Sequence, residues 1–312
     1  MRRPRACGPG VAMLLLLAGC TVGPNYKRPS VDTPQAYYHA ETAPDTASLG
    51  DEKWWALFQD QELQKLIDSK APAAEIKTAM LDADRDPSIN AIIVTGAGRA
   101  YCAGADMTGL SNIASGNASA RAAAAPDEWL AAQRADYRTT YSWPLALNKP
   151  VIGAINGACV GLGFTTCLYQ DIRIASDNAR MGFIFVQRGL AIEHGSSWML
   201  PRIIGVARSV ELAITGRLVD AEEALRIGLV HRVVPQAELM SAARETASYI
   251  ADKCSQLGVS QAKKMIYQHL FTDLATGIRE DDESMEMMTR SDDFKEGVKA
   301  FLEKRAPRFQ GR

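Results

Sequence analysis

From about residue 74 onward, apolar positions fall into two periods. Glu75 to Asp84 carries Ile76, Met80 and Leu81 at helical spacing, and Asp84-Arg85-Asp86-Pro87 breaks that helix. Ala91-Ile92-Ile93-Val94-Thr95 is a continuous β-branched run, the mark of a strand covered on both faces, and Gly96-Ala97-Gly98 ends it. Val151-Ile152-Gly153-Ala154-Ile155 predicts a second such strand and Ile172-Arg173-Ile174-Ala175 a third. Helical patterns separate or follow them, so parallel strand–helix units in an α/β protein are expected. A helix is predicted from Leu162 toward Tyr169. Another has Asp220 as N-cap and closes at Gly228-Leu229-Val230.

The first seventy residues follow another pattern. Arg2, Arg3 and Arg5 precede the apolar run Val11 to Ala18, which is too short to span a bilayer as a mature helix. The run ends in Leu17-Ala18-Gly19-Cys20, which resembles a bacterial lipobox; the resemblance implies lipidation of Cys20. Cys20-Thr21-Val22-Gly23-Pro24-Asn25-Tyr26-Lys27-Arg28-Pro29, Trp54-Trp55-Ala56-Leu57-Phe58 and Gln61 to Ile67 together resemble the mature start of an outer-membrane factor of an efflux system. That channel family needs very long helices and membrane strands. The helical patterns after residue 74 have ordinary globular lengths.

Composition narrows the rest. Of 312 residues, 47% are hydrophobic and 23% charged, enough apolar material for a sizeable core. A formal net charge of -1 gives no electrostatic reason to expect nucleic acid as a partner. The six cysteines show no CxxC spacing and the four His are scattered, so no metal site is expected. Cys102, Cys159 and Cys167 lie among small or apolar residues and are expected to be buried free thiols.

Two glycine-rich loops carry the candidate chemistry. The first is Gly98-Arg99-Ala100-Tyr101-Cys102-Ala103-Gly104-Ala105-Asp106-Met107. The second runs Lys149-Pro150 through the strand to Asn156-Gly157-Ala158-Cys159-Val160-Gly161-Leu162-Gly163. The glycine spacing of the second is wrong for a dinucleotide fingerprint. As an ordered pair the loops resemble the signature loops of the crotonase superfamily, the enoyl-CoA hydratase/isomerase type. The likeness continues through Gly189-Leu190-Ala191-Ile192, Ser196 to Arg202, Thr215 to Ala224 and Glu296 to Arg305. It implies a crotonase-like ββα spiral followed by a C-terminal helical trimerisation region. The strands that usually open the family's domain have no counterpart, efflux-like sequence standing in their place.

The resemblance also implies a chemistry. Two backbone N–H groups converge on a thioester carbonyl so that an enolate can form; each such donor is worth roughly 10²–10³ in rate. By position in the motif these are the N–H groups of Ala105 and Leu162. The family usually has Gly where Leu162 stands, so a bulkier side chain must find room. Ala103 and Gly104 are implied to contact coenzyme A, and Phe301 and Lys304 in the tail are further candidates for its nucleotide end. For the two tail residues an amphipathic helix, with Phe301 in the core and Lys304 solvated, stays open as an alternative. The two hydratase glutamates of the family fall on Thr165 and Phe185, neither of which can act as a base. Glu193 lies where some isomerase members carry an acid, and burial beside Ile192 and Trp198 is expected to raise its pKa. His194 adjoins it, although neighbouring loop residues often point apart.

These readings divide the chain into a lipoprotein-type signal at 1–20, an efflux-like fragment and junction at 21–73, a crotonase-like core at 74–250 and a helical region at 251–312. They imply an acyl-CoA thioester as substrate, with coenzyme A as part of it, no permanently bound cofactor, and a homotrimer or dimer of trimers. The enzyme part implies the cytoplasm. The N-terminal signal implies an outer-membrane lipoprotein, so a membrane enters only if the lipobox is used. A chimeric reading frame is the economical expectation. A catalytically silent CoA-binding homologue and a truncated efflux lipoprotein fusion stay open beside the acyl-CoA enzyme.

Overall fold

The structure is a computed structural model that describes residues 73–104, 111, 112, 114–116 and 128–311. The signal and efflux-like segments, with Cys20, lie outside the described residues, as do Ala105 and Asp106.

One short strand pair recurs three times. β1 (Ile92–Thr95) turns into β2 (Ala100–Cys102), β3 (Val151–Ile155) into β4 (Ala158–Val160), and β5 (Ile172–Ser176) into β6 (Arg180–Gly182). The first strand of each pair joins one sheet and the second joins another. With β7 (Val219–Asp220) and β8 (Arg232–Val234) the orders are β1-β3-β5-β8 and β2-β4-β6-β7. All pairs are parallel except β6 with β7. The chain thus winds as a spiral that adds a strand to each sheet per turn. Plain strand–helix alternation, the expectation from periodicity, becomes strand–strand–helix, because three-residue strands such as β2 and β4 are too short to show a period. The three predicted strands are otherwise in place, the first starting at Ile92 and the third running to Ser176.

β3 is buried at all five positions, as its unbroken apolar run requires. Its side chains alternate between two cores. Ile152 and Ala154 face α7 (Leu239–Lys253), packing with Ile174, Leu239 and Ala243. Ile155 belongs to the larger core with Phe164, Leu168, Met181, Leu200 and Leu229. Full burial of each aliphatic side chain contributes about 1.5–3 kcal/mol. α1 (Ala73–Arg85), one turn longer than the predicted helix, lays Met80 and Leu81 against Ile92, Trp143 and Val151. Asp84 then accepts from the Lys149 N–H at 2.9 Å, tying the helix end to the start of β3.

The remaining helices are α2 (Glu128–Ala131), α3 (Leu162–Cys167), α4 (Ser196–Ile204), α5 (Val206–Thr215), α6 (Ala221–Arg226), α8 (Gln256–His269), α9 (Leu274–Thr289) and α10 (Asp292–Leu302). α3 ends at Cys167, short of the expected Tyr169. Asp220 does cap α6, its carboxylate accepting from the Glu223 N–H at 2.8 Å. Ser255, Asp273 and Ser291 cap α8, α9 and α10 in the same way. α8 is fastened to the core by Lys263, whose ammonium lies 2.8 Å from Asp171 and also donates to the Lys149 carbonyl oxygen. No helix among the described residues is long and apolar enough to cross a membrane.

Candidate active site

The site forms where the spiral brings the ends of β2 and β4 side by side, Cys102 opposite Cys159. Two close approaches explain the small residues there. A side chain on Gly157 would strike the Arg99 carbonyl oxygen at 1.9 Å. One on Gly163 would strike Cys102, its carbonyl oxygen at 2.3 Å and its sulfur at 2.8 Å. Only glycine therefore lets α3 seat against β2. Asn156 joins the two turns. Its side-chain oxygen accepts from the Gly96 N–H at 3.1 Å, and its Nδ2 donates to the Gly96 and Gly98 carbonyl oxygens at 3.1 and 2.9 Å. Asn156 is buried, and these three bonds satisfy backbone groups that the turn leaves without ladder partners.

Gly104 then carries the first loop past the start of α3. Its φ of 102° is open to glycine and strained for other residues. A β-carbon there would lie 3.0 Å from the Val160 carbonyl oxygen and 3.8 Å from the Leu162 nitrogen. Gly161, at φ 57° and ψ −122°, turns the second loop so that Leu162 opens α3. Among the described residues none accepts from the Leu162 N–H. The Leu162 side chain is half-buried, and so finds the room that its bulk needs. The structure thus brings together three of the predicted residues, Ala103, Gly104 and Leu162; Ala105 follows them outside the described residues.

Around these loops the walls are apolar. The Phe185 ring would meet a β-carbon on Gly161 at 3.7 Å, and it stacks on Phe183, which packs edge-on against Phe164. Thr165 sits fully buried one turn into α3, its Oγ1 without a partner among the described residues. The three thiols lie behind the loops. Cys159 and Cys167 are fully buried as expected, whereas Cys102 is only half-buried, because β2 borders the loop mouth. Burial pushes the Cys102 and Cys159 thiols up, which keeps them protonated and poor nucleophiles.

Glu193 departs from expectation. Its side chain is 41% exposed, so it is not buried beside Ile192 and Trp198. Its carboxylate instead lies 3.4 Å from His194 Nε2. The two neighbours point together because His194 adopts φ 51°, a left-handed conformation that cancels the alternation of an extended chain. Sequence reading missed what holds this turn. The Tyr169 hydroxyl donates to the His194 carbonyl oxygen, and the Tyr141 ring packs on the imidazole at 4.4 Å. Neither residue carries a motif that marks it in advance.

Phe301 and Lys304 are not brought to the loops. They lie at the end of α10, which packs on α9. Phe301 is 83% exposed and so is not in a core; it lines an apolar groove of about 460 Å³ with Met288, Phe294, Val298 and Phe309. Lys304 is exposed, at φ 53°.

Comparison with known proteins supplies the family and the fold. Residues 68–312 match the family Enoyl-CoA hydratase/isomerase. An enoyl-CoA hydratase of Alternaria alternata is 39% identical over 236 residues, 73% of each chain. The 1,2-epoxyphenylacetyl-CoA isomerase of Escherichia coli is 33% identical over 239 residues, 77% of this chain and 88% of that one. Among solved structures, the enoyl-CoA hydratase of Bacillus anthracis is 33% identical with a TM-score of 0.66, over 77% of this chain and 88% of that one.

Proposed function

The chain belongs to the enoyl-CoA hydratase/isomerase family, and from that premise we propose that it moves a double bond along an acyl-CoA thioester through an enolate held by the N–H groups of Ala105 and Leu162. The observation that carries this reading is the Leu162 N–H, which has no acceptor among the described residues and whose nitrogen lies 3.8 Å from where a Gly104 side chain would begin. Glu193 removes a proton from the carbon next to the thioester carbonyl of a 3-enoyl-CoA. The electrons delocalise onto the carbonyl oxygen, where two fixed N–H dipoles stabilise the charge without reorganisation. The same carboxylic acid returns the proton at the far carbon of the former double bond. The carbonyl re-forms with the double bond in conjugation, and nothing is gained or lost overall.

Isomerisation is favoured over two-glutamate hydration because Thr165 and Phe185 stand where the family resemblance puts the hydratase acids. The phenyl ring of Phe185 beside Gly161 makes that wall apolar and supplies no base for a water. Coenzyme A arrives as part of the substrate, contacting Ala103 and Gly104, and no permanently bound cofactor is needed. Phe301 and Lys304 reach a nucleotide only from a neighbouring copy. The exposed Leu274, Ile278, Met285, Phe294 and Phe301 supply the apolar face for such a trimer. The test is turnover of a 3-enoyl-CoA and of crotonyl-CoA by the chain and by Glu193→Gln. The reading expects isomerisation that Glu193→Gln lowers about 10²-fold or more, to a measurable residual rate; preserved turnover in that variant excludes Glu193.

A second reading concerns the N-terminal segment alone, since the family match begins at residue 68. It takes residues 1–20 as a lipoprotein leader and 21–73 as an efflux-like piece and junction joined to the enzyme, with lipid on Cys20. An intact mass showing an unlipidated chain that retains residues 1–19 counts against it.

A further inference from the structure

We infer that His194 is a positioning residue for Glu193, holding the carboxylate in the orientation from which it moves the proton; this rests on the reading of Glu193 given above. Four observations meet at this residue. Its Nε2 stands 3.4 Å from the Glu193 carboxylate. Its backbone holds a left-handed conformation at φ 51°, followed by Gly195 at φ 77°. A non-glycine residue rarely adopts that conformation, so the fold around it must hold it in place. The surrounding fold does so from two sides, through the Tyr169 hydroxyl on the His194 carbonyl oxygen and the Tyr141 ring at 4.4 Å from the imidazole. Finally, the Glu193 backbone is fixed as well, its carbonyl oxygen accepting from the Ser196 N–H at 3.0 Å and the Ser196 hydroxyl at 2.5 Å.

Together these leave little freedom to the turn and direct it toward one result. A half-exposed glutamate has three side-chain torsions and no reason to keep one orientation. An imidazole nitrogen 3.4 Å from one carboxylate oxygen restricts that freedom and leaves the second oxygen for the substrate. Tyr141 clamps the ring from the opposite element, the segment that leads into the 3-10 turn Trp143–Ala146. The acid loop and that segment are thereby coupled through a single side chain.

The test is a double-mutant cycle on the full chain. Turnover of a 3-enoyl-CoA is measured together with deuterium exchange at the α-carbon of butyryl-CoA, which reports proton abstraction alone. His194→Asn suits the left-handed backbone but loses the ring. It is expected to lower kcat and the exchange rate about 10-fold or more, with KM within about twofold. In the Glu193→Gln background the same change is expected to have no further effect, because it acts through the carboxylate. An equal loss in both backgrounds, or a change confined to KM, makes His194 a structural residue only and overturns the inference. Unchanged rates in His194→Asn alongside a strongly slowed Glu193→Gln overturn the inference and leave the reading of Glu193 standing. No exchange by the parent chain, or a fully active Glu193→Gln, removes both.

Discussion

A β-carbon on Gly104 would stand 3.8 Å from the backbone nitrogen of Leu162, although the two residues come from different turns of the spiral. The same atom would press on the Val160 carbonyl oxygen at 3.0 Å, and φ at Gly104 is 102°. Gly104→Ala is therefore expected to destabilise the fold by about 1–3 kcal/mol and to move the first loop away from Leu162. Denaturant unfolding and 3-enoyl-CoA turnover, measured together, check it. A variant as stable and as active as the parent contradicts the close approach.

Leu162 permits a cleaner test of the backbone donor. It is the first residue of α3, a position where proline fits a helix because its missing N–H has no intrahelical role. Leu162→Pro removes the proposed donor while leaving the helix start intact. Turnover is expected to fall about 10²–10³-fold. The melting temperature is expected to change little, so a large fall in stability together with the lost rate speaks against a specific donor role.

Asp171 and Lys263 illustrate how the C-terminal helices are tied to the catalytic spiral. Their side chains are 14% and 7% exposed, and Asp171 also accepts from the Val151 N–H at 2.7 Å and the Tyr267 hydroxyl at 2.9 Å. Lys263→Met leaves that carboxylate buried without its cation, a loss expected to cost about 3–5 kcal/mol. Arg232→Gln breaks an exposed pair with Glu245 and is expected to cost about 1 kcal/mol or less. Urea midpoints of the two variants side by side test the contrast.

Alkaline pH should loosen the acid loop through Tyr169. Burial pushes its phenol up to about 12, against an ordinary value of 10.0. The folded value lies above the unfolded one. Its contribution is therefore fully present below pH 10 and is lost as pH rises through about 12. Because the protonated hydroxyl holds the His194 carbonyl oxygen, the parent is expected to lose stability across that window more steeply than Tyr169→Phe. Parallel pH profiles for the two chains would falsify this assignment.

Much of the fold is legible along the chain. The run Val151–Ile155 is apolar at every position and is buried on both faces, and Asp220 announces a helix that it caps. The loop glycines are legible too: Gly157 and Gly163 have to be glycine because backbone and sulfur occupy the space of a side chain. Strand length hides the second sheet, since three residues do not establish a period of two.

The sequence by itself determined the two loops, their order and the absence of a carboxylate at positions 165 and 185, because residue type and local spacing suffice for those. Only the tertiary structure decided that Gly104 meets Leu162, that Asn156 joins two distant turns, and that Phe301 is exposed rather than in a core. It alone also decided the state of Glu193. A carboxylate expected to be buried turned out half-exposed and paired with its neighbour, because a hydroxyl from residue 169 and a ring from residue 141 close a left-handed turn at His194. Those contacts depend on where remote segments end up in space, and no local pattern of residues encodes that.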